Sequence, residues 1–232
     1  MTATDKWMDL LANDRLLLDR ASTAERVADI LRQRVIDGAL TPGTQLSEEG
    51  VGKALAVSRN TLREAFRLLV HERLVVHEFH RGVFVRVLSV DDVVDLYRIR
   101  RLLETSSVQR AAGAPKALVE AVSEAVAEGE RAARDERWWD VGTANMRFHE
   151  ALVALACSPR ANETMRQVLA ELRLAFHVMS RPREFHEPYL GLNREIADLL
   201  AAASWRTAAE RLDAYFDTAE TQLVEGYGSY RA

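Results

Sequence analysis

Apolar residues recur with two different periods along this chain of 232 residues, and the change of period divides it. From Thr23 onward Val27, Ile30, Leu31, Val35 and Ile36 keep a helical spacing. Ser22 or Thr23 is the expected cap, and Asp37-Gly38 the stop, with Gly38 suited to a left-handed closing position. Leu40 to Leu46 reads as a turn around Pro42-Gly43 followed by a short extended segment. Ser47 caps a short second helix that ends near Leu55-Ala56. No capping box is expected there, because Gly50 follows Ser47 at the third position. Gly50 and Gly52 each cost that helix about 1 kcal/mol relative to Ala. A third helix opens at Ser58 and places Leu62, Ala65, Phe66 and Leu69 at i, i+3, i+4 and i+7. The period then falls to two. Leu74, Val75 and Val76 start a strand, Gly82 permits a tight bend, and Val83, Val85 and Val87 alternate with Phe84 and Arg86. Three helices and a β-ribbon predict a winged helix-turn-helix.

Ser89 caps the next segment, and everything after it reads as helix. The expected helices are Asp91–Gly113, carrying Val94, Tyr97, Ile99, Leu102 and Leu103, then Pro115–Arg137, Val141–Cys157 and Asn162–Met179. Pro182–Pro188 is expected as a loop, and Tyr189–Ala203 and Trp205–Gly226 close the chain. Six helices without a strand predict an all-α bundle. The expected fold is therefore mainly α, with a winged domain over 22–88 and a helical domain over 89–226. Residues 227–232 are left as a tail. Residues 1–21 form an extension, either a helix packed through Trp7, Leu10, Leu11 and Leu16 to Leu18 or a partly ordered segment.

Composition narrows the function classes. With 48% hydrophobic and 28% charged residues the chain should pack a core. No apolar run approaches the ~18 residues of a membrane span, and the acidic Asp5 and Asp9 argue against a secretory signal, so no membrane partner and a cytoplasmic location are expected. The single cysteine, Cys157, is expected as a small core residue in a reducing compartment. The net charge of −4 is unevenly spread. Ser22–Val87 holds ten Lys/Arg against eight Asp/Glu, whereas the remainder holds twenty-one against twenty-seven. The basic residues gather at Arg59, Arg63, Arg67 and Arg81, and phosphate binding needs only such a local patch.

The third helix carries short polar and basic residues on its first turn and apolar residues behind them. That is how a helix reads DNA with its N-terminal turn while the rest is held in a core. Arg can contact guanine through two hydrogen bonds. Ser and Thr at a helix start can meet phosphate, beside free backbone N–H groups. Gly82 would let the wing approach the sugar-phosphate surface closely.

The stretches V-I-D-G-A-L-T-P-G-T-Q-L-S-E, V-S-R-N-T-L-R-E-A-F-R-L-L and R-G-V-F-V resemble the GntR family of bacterial regulators. The second domain resembles the FCD type, through Arg100-Arg101-Leu102-Leu103-Glu104 and the Phe148-His149 pair. The resemblance implies a homodimer, a palindromic double-stranded DNA operator and control by a small-molecule effector. It places the DNA contacts at Ser58, Arg59, Asn60, Thr61 and Arg63, and at His80, Arg81 and Gly82 of the wing tip.

Many FCD domains hold a divalent metal through one aspartate and three histidines. Carried onto this chain, those positions are Asn145, His149, Asn193 and Tyr215, so His149 alone keeps the family's ligand type. Neutral amides and a phenol bind transition metals weakly. The expectation is no metal and no cofactor, with the four residues and Arg100 forming a pocket for a carboxylate or other anion. Two alternatives stay open: a satisfied hydrogen-bond network without a ligand, and a rearranged divalent metal site around His149, His177 and His186. At most one of Trp138 and Trp139 can line an apolar channel. The leading function is a DNA-binding regulator, most readily a repressor. An architectural DNA-binding protein without an effector is the alternative. An enzyme is not expected, because no catalytic triad or nucleotide-binding loop is visible and His149 lacks an acidic partner at position 145.

Overall fold

The computed structural model describes residues 22–177 and 182–231. They form two compact units that divide between Val85 and Arg86. The expectations for residues 1–21 lie outside the described residues.

The first unit contains α1 (Thr23–Ile36), β1 (Gln45–Leu46), α2 (Glu48–Leu55), α3 (Arg59–His71), β2 (Val75–Glu78) and β3 (Gly82–Val85). Ser22 opens α1 with a full capping box to Glu25. Val27, Leu31 and Val35 are buried, while Ile30 stays exposed. The Ser47 hydroxyl accepts from the Gly50 N–H and caps α2. Leu62, Ala65, Phe66 and Leu69 of α3 are all buried, as their spacing predicts. The wing is a three-stranded antiparallel sheet in the order β1-β3-β2, because Gln45 and Leu46 pair with Phe84 and Val83. On the other side β2 pairs with β3 from Val75↔Val85 to Glu78↔Gly82. Leu74, Val75, Val83 and Val85 turn their side chains into the unit's core.

The described secondary structure of the second unit is all helical: α4 (Val90–Gln109), a short 3-10 turn (Ala111–Gly113), α5 (Lys116–Arg134), α6 (Trp138–Ala154), α7 (Pro159–Phe176), α8 (Pro182–Ala201) and α9 (Trp205–Arg231). Ser89 and Asp92 form a capping box at the start of α4. The central helix is α6, which packs against α4, α5, α7 and α8, and α9 lies on α4 and α8. No described helix is long and apolar enough to cross a membrane.

Four expectations change. Pro182–Pro188 is helix rather than loop, the first part of α8. Pro182 opens the described helix, and Phe185, His186, Tyr189 and Asn193 bury one face. That burial offsets the backbone bond that Pro188, inside the helix, cannot donate. The last helix passes the expected end at Gly226 and runs to Arg231. Cys157 is exposed rather than core, because α6 ends at Ala154 and Cys157 turns the chain toward Ser158, the cap of α7. In α4 the buried stripe is Val93, Leu96, Tyr97, Arg100, Glu104, Ser107 and Val108, so the expected Leu102 is exposed. A side chain with a positive φ follows the end of several helices: Ala56 (52°), Arg73 (58°), Glu136 (57°), Cys157 (51°) and Ala203 (56°).

Candidate functional site

The first turn of α3 stands out from the winged unit. Ser58, Arg59, Asn60 and Arg63 are exposed and Thr61 is half-buried. The Ser58 hydroxyl accepts from the Thr61 N–H at 3.2 Å and lies 2.8 Å from the Thr61 hydroxyl, which fixes the start of the helix. Arg59 and Arg63 are 74% and 61% exposed, so both can reach a ligand outside the protein.

At the wing tip Phe79, His80 and Arg81 connect β2 to β3. His80 has φ 61° and Gly82 φ 107°, the left-handed backbone that the tight turn needs. The Gln45 side chain donates to the Arg81 carbonyl at 2.7 Å and holds the turn. Arg81 pairs with Glu78 and lies over the Phe84 ring. Phe79 is 81% exposed and its ring centre is 3.9 Å from that of His80. Sequence reasoning missed Phe79, although an aromatic residue beside a tight turn has no core to enter and was a readable signal.

In the helical unit four helices bring one polar cluster into the core. Asn145 and His149 lie one turn apart on α6 and share a face. Arg100 and Glu104 come from α4, Asn193 from α8 and Tyr215 from α9. All five expected pocket residues therefore meet, and Glu104 joins them. Arg100 donates through Nε to Glu104 at 3.0 Å. The other Glu104 oxygen is 2.6 Å from His149 Nδ1, and His149 Nε2 is 3.0 Å from the Tyr215 hydroxyl. Asn193 donates to Asn145 Oδ1 at 2.7 Å, which also lies 3.4 Å from the Tyr215 hydroxyl. The carboxylate fixes the tautomer: Nδ1–H donates to Glu104, leaving Nε2 to accept from Tyr215. Burial holds the His149 imidazole below its ordinary pKa, against the pull of Glu104, so it is neutral near pH 7.

Beside the cluster is a small cavity lined by Gly129, Val141, Asn145, His186, Leu190 and Asn193, among others. It has room for about one water molecule. His186 Nδ1 and Asn193 Oδ1 are buried without a hydrogen-bond partner among the described residues. Burial, with Arg173 nearby, pushes the His186 imidazole down to about 4. Arg173 lies 3.8 Å over the Trp139 ring and, like His186, occupies the space a side chain on Gly142 would need. Trp138 lies under Arg183 instead. Neither tryptophan lines the cavity.

The signature described as "Bacterial regulatory proteins, gntR family" matches residues 23–85, and the FCD domain matches residues 95–218. The chain belongs to the gntR family. The Nta operon transcriptional regulator of Aminobacter aminovorans is 30% identical over 168 residues, 68% of this chain and 75% of that protein. The gluconate operon transcriptional repressor of Bacillus subtilis is 38% identical over 93 residues, so the match spans 40% of this chain and 38% of the repressor. The crystal structure of a putative transcriptional regulator GntR from Rhodococcus sp. RHA1 superposes with a TM-score of 0.83 at 45% identity. That match covers 88% of this chain and 98% of the other.

Within this gntR-family protein the FCD cluster does not suit a divalent metal. The His149 nitrogen that could coordinate is taken by the Tyr215 hydroxyl, and burial raises the Tyr215 pKa well above 10, so no phenolate is available. Asn145 and Asn193 offer amides, and Glu104 is engaged by Arg100 and His149. The rearranged set also fails to assemble: no group of three or more His, Cys, Asp or Glu among the described residues could hold a metal. His177 packs on Trp139 instead. Two further expectations need correction. His149 does have an acidic partner, supplied by α4 rather than by position 145. Arg100 is not an unopposed cation for a ligand, because Glu104 neutralises it.

Proposed function

We propose that this protein is a sequence-specific transcriptional repressor that binds a palindromic operator as a homodimer. The observation that carries this reading is α3, whose first turn presents Ser58, Arg59, Asn60, Thr61 and Arg63 while its other face is anchored by four buried apolar side chains. The wing tip, with His80, Arg81 and Gly82, supplies a second contact. Two-fold symmetry would set two such units on two half-sites. A cytoplasmic regulator without enzymatic activity fits the relatives, which are named as regulators and repressors.

The FCD domain is the effector-binding part of this reading. Its effector is a small carboxylate or other anion, held by hydrogen-bond donors around Asn145, His149, Asn193 and Tyr215 rather than by a free cation. Glu104 neutralises Arg100, and of the Arg100 nitrogens only Nη2 is left buried without a hydrogen-bond partner among the described residues. A cavity the size of one water must widen to admit it, and ligand binding would shift the population toward a widened state. That shift is how occupancy could reach the DNA-binding unit. Arg59→Ala tests the DNA reading: sequence preference should collapse, whereas a protein that binds only the backbone would lose affinity evenly across sequences. Native mass spectrometry of untreated protein tests the rest by reporting stoichiometry, metal and any co-purified organic mass together. A monomer, or one metal ion per subunit, would overturn the corresponding part.

A further inference from the structure

Glu48, the first residue of α2, lies against the exposed turn of α3. Its Oε1 accepts from Arg63 Nε at 2.9 Å, and its Oε2 is 3.9 Å from Arg59 Nε. The carboxylate is one-third exposed, on the face where the recognition residues emerge. A negative charge there opposes the phosphate backbone, so general DNA affinity does not account for it. The geometry of the bond does. It uses the Nε edge of the Arg63 guanidinium and leaves the two terminal nitrogens without a protein partner among the described residues. Those terminal N–H groups are the ones an arginine can aim end-on at guanine O6 and N7. A flexible side chain held at one edge by a carboxylate has fewer orientations to lose when its other edge binds.

We propose that Glu48 is a specificity-determining residue that positions Arg63 to read guanine and penalises DNA that offers no guanine there. The proposal rests on the reading of α3 as the recognition helix. Both effects come from one carboxylate. On a matching site, Arg63 keeps Glu48 on its Nε edge and meets the base with its terminal pair. On a mismatched site, the carboxylate remains close to phosphates with no gain from the base. Arg59, at 3.9 Å, is only loosely held and stays available to phosphate or to a second base.

The experiment starts from a duplex selected by the wild-type protein from a random-sequence pool, and a second duplex of the same composition with scrambled sequence. Fluorescence anisotropy measures the affinity of wild type, E48Q, R63A and E48Q/R63A for both, over a range of salt. Circular dichroism melts confirm that each variant folds. E48Q should bind the scrambled duplex at least as tightly as wild type, while the ratio of selected to scrambled affinity falls about 10-fold. In the R63A background, adding E48Q should not lower that ratio further. A merely structural role for Glu48 would weaken both duplexes together and leave the ratio intact, which overturns the proposal. So does an equal loss of ratio in the R63A background. If wild type selects no sequence, the recognition-helix reading itself fails; if R63A keeps its ratio, Arg63 reads no base and the proposal is overturned while that reading stands. An R63A loss with an unchanged E48Q overturns the role of Glu48 alone.

Discussion

Replacing Glu104 with methionine tests whether the polar cluster is held by charge compensation. Glu104 is fully buried and Arg100 is 2% exposed, 3.0 Å apart. Methionine is close in volume but accepts nothing useful, so Glu104→Met leaves the Arg100 charge buried without its acceptor. Removing one member of a buried ion pair costs about 3–5 kcal/mol. The His149 Nδ1–H loses its acceptor in the same step. For a unit of this size each kcal/mol moves Tm by about 2–4 °C, so a fall of roughly 12 °C is expected. The assay is thermal unfolding followed at 222 nm, with urea titration as a second measure. The double variant Arg100→Met/Glu104→Met removes both charges and should recover more than half of the loss, since buried pairs are often replaceable by apolar residues of similar volume. Recovery is incomplete because the imidazole N–H stays unpaired. A Glu104→Met protein that melts within about 3 °C of wild type would refute the argument. A double variant less stable than the single would refute it equally.

Other predictions are more local. His186 is neutral in the folded protein, with its pKa lowered from 6.5 to about 4, whereas the unfolded chain takes up a proton near 6.5. Stability from this group is present above pH 6.5 and is lost as pH falls toward 4; between pH 7 and 5 the loss is about 2 kcal/mol. His186→Gln should flatten urea-derived stability over that range, and an unchanged slope would contradict the burial argument. Gly142→Ala puts a Cβ 2.7 Å from His186 Nε2 and 2.9 Å from Arg173 Nη1, and should destabilise by about 1–3 kcal/mol in the same melts. Phe79→Ala should leave Tm unchanged, as for an exposed side chain, and weaken operator binding. Equal operator affinity would remove Phe79 from the interface. Dialysis against EDTA should not shift Tm, because the cluster's hydrogen bonds do not use a metal; a clear fall would restore the metal to the site.

The winged unit was the more legible half of the sequence. Its signals are local: the capping serines, the spacing Leu62, Ala65, Phe66 and Leu69, and the switch to alternation at the ribbon. The third strand was less visible because Gln45-Leu46 is too short for periodicity, and only its pairing with β3 defines it. In the helical unit the positions of Asn145, His149, Asn193 and Tyr215 were readable, and they meet. Glu104 was in plain view, in the same R-x-x-L-E stretch as Arg100, but its role depends on a tertiary contact across 45 residues. Reading α4 by its apolar residues places only part of the stripe: Tyr97 is buried as expected, but Leu102 is exposed and Arg100 and Glu104 lie inward. Pairing lets two charges occupy positions that hydropathy assigns to leucines. Pro188 misled for a related reason: a breaker in isolation, it is outweighed by the buried face around it.

The left-handed residues that follow the helices have a consequence for how this chain could be improved. Glycine is the residue best suited to such a conformation, and the chain uses one after α1, at Gly38. After α2, α3, α5, α6 and α8 it uses Ala, Arg, Glu, Cys and Ala, each under a backbone strain of about 1 kcal/mol. Ala56→Gly, Arg73→Gly, Glu136→Gly and Ala203→Gly would each relieve that strain, less the flexibility that glycine adds to the unfolded chain. The fold thus carries unused thermostability at its corners, away from the cluster in its core. An engineer could draw on that headroom to absorb the losses that redesigning an effector pocket would bring.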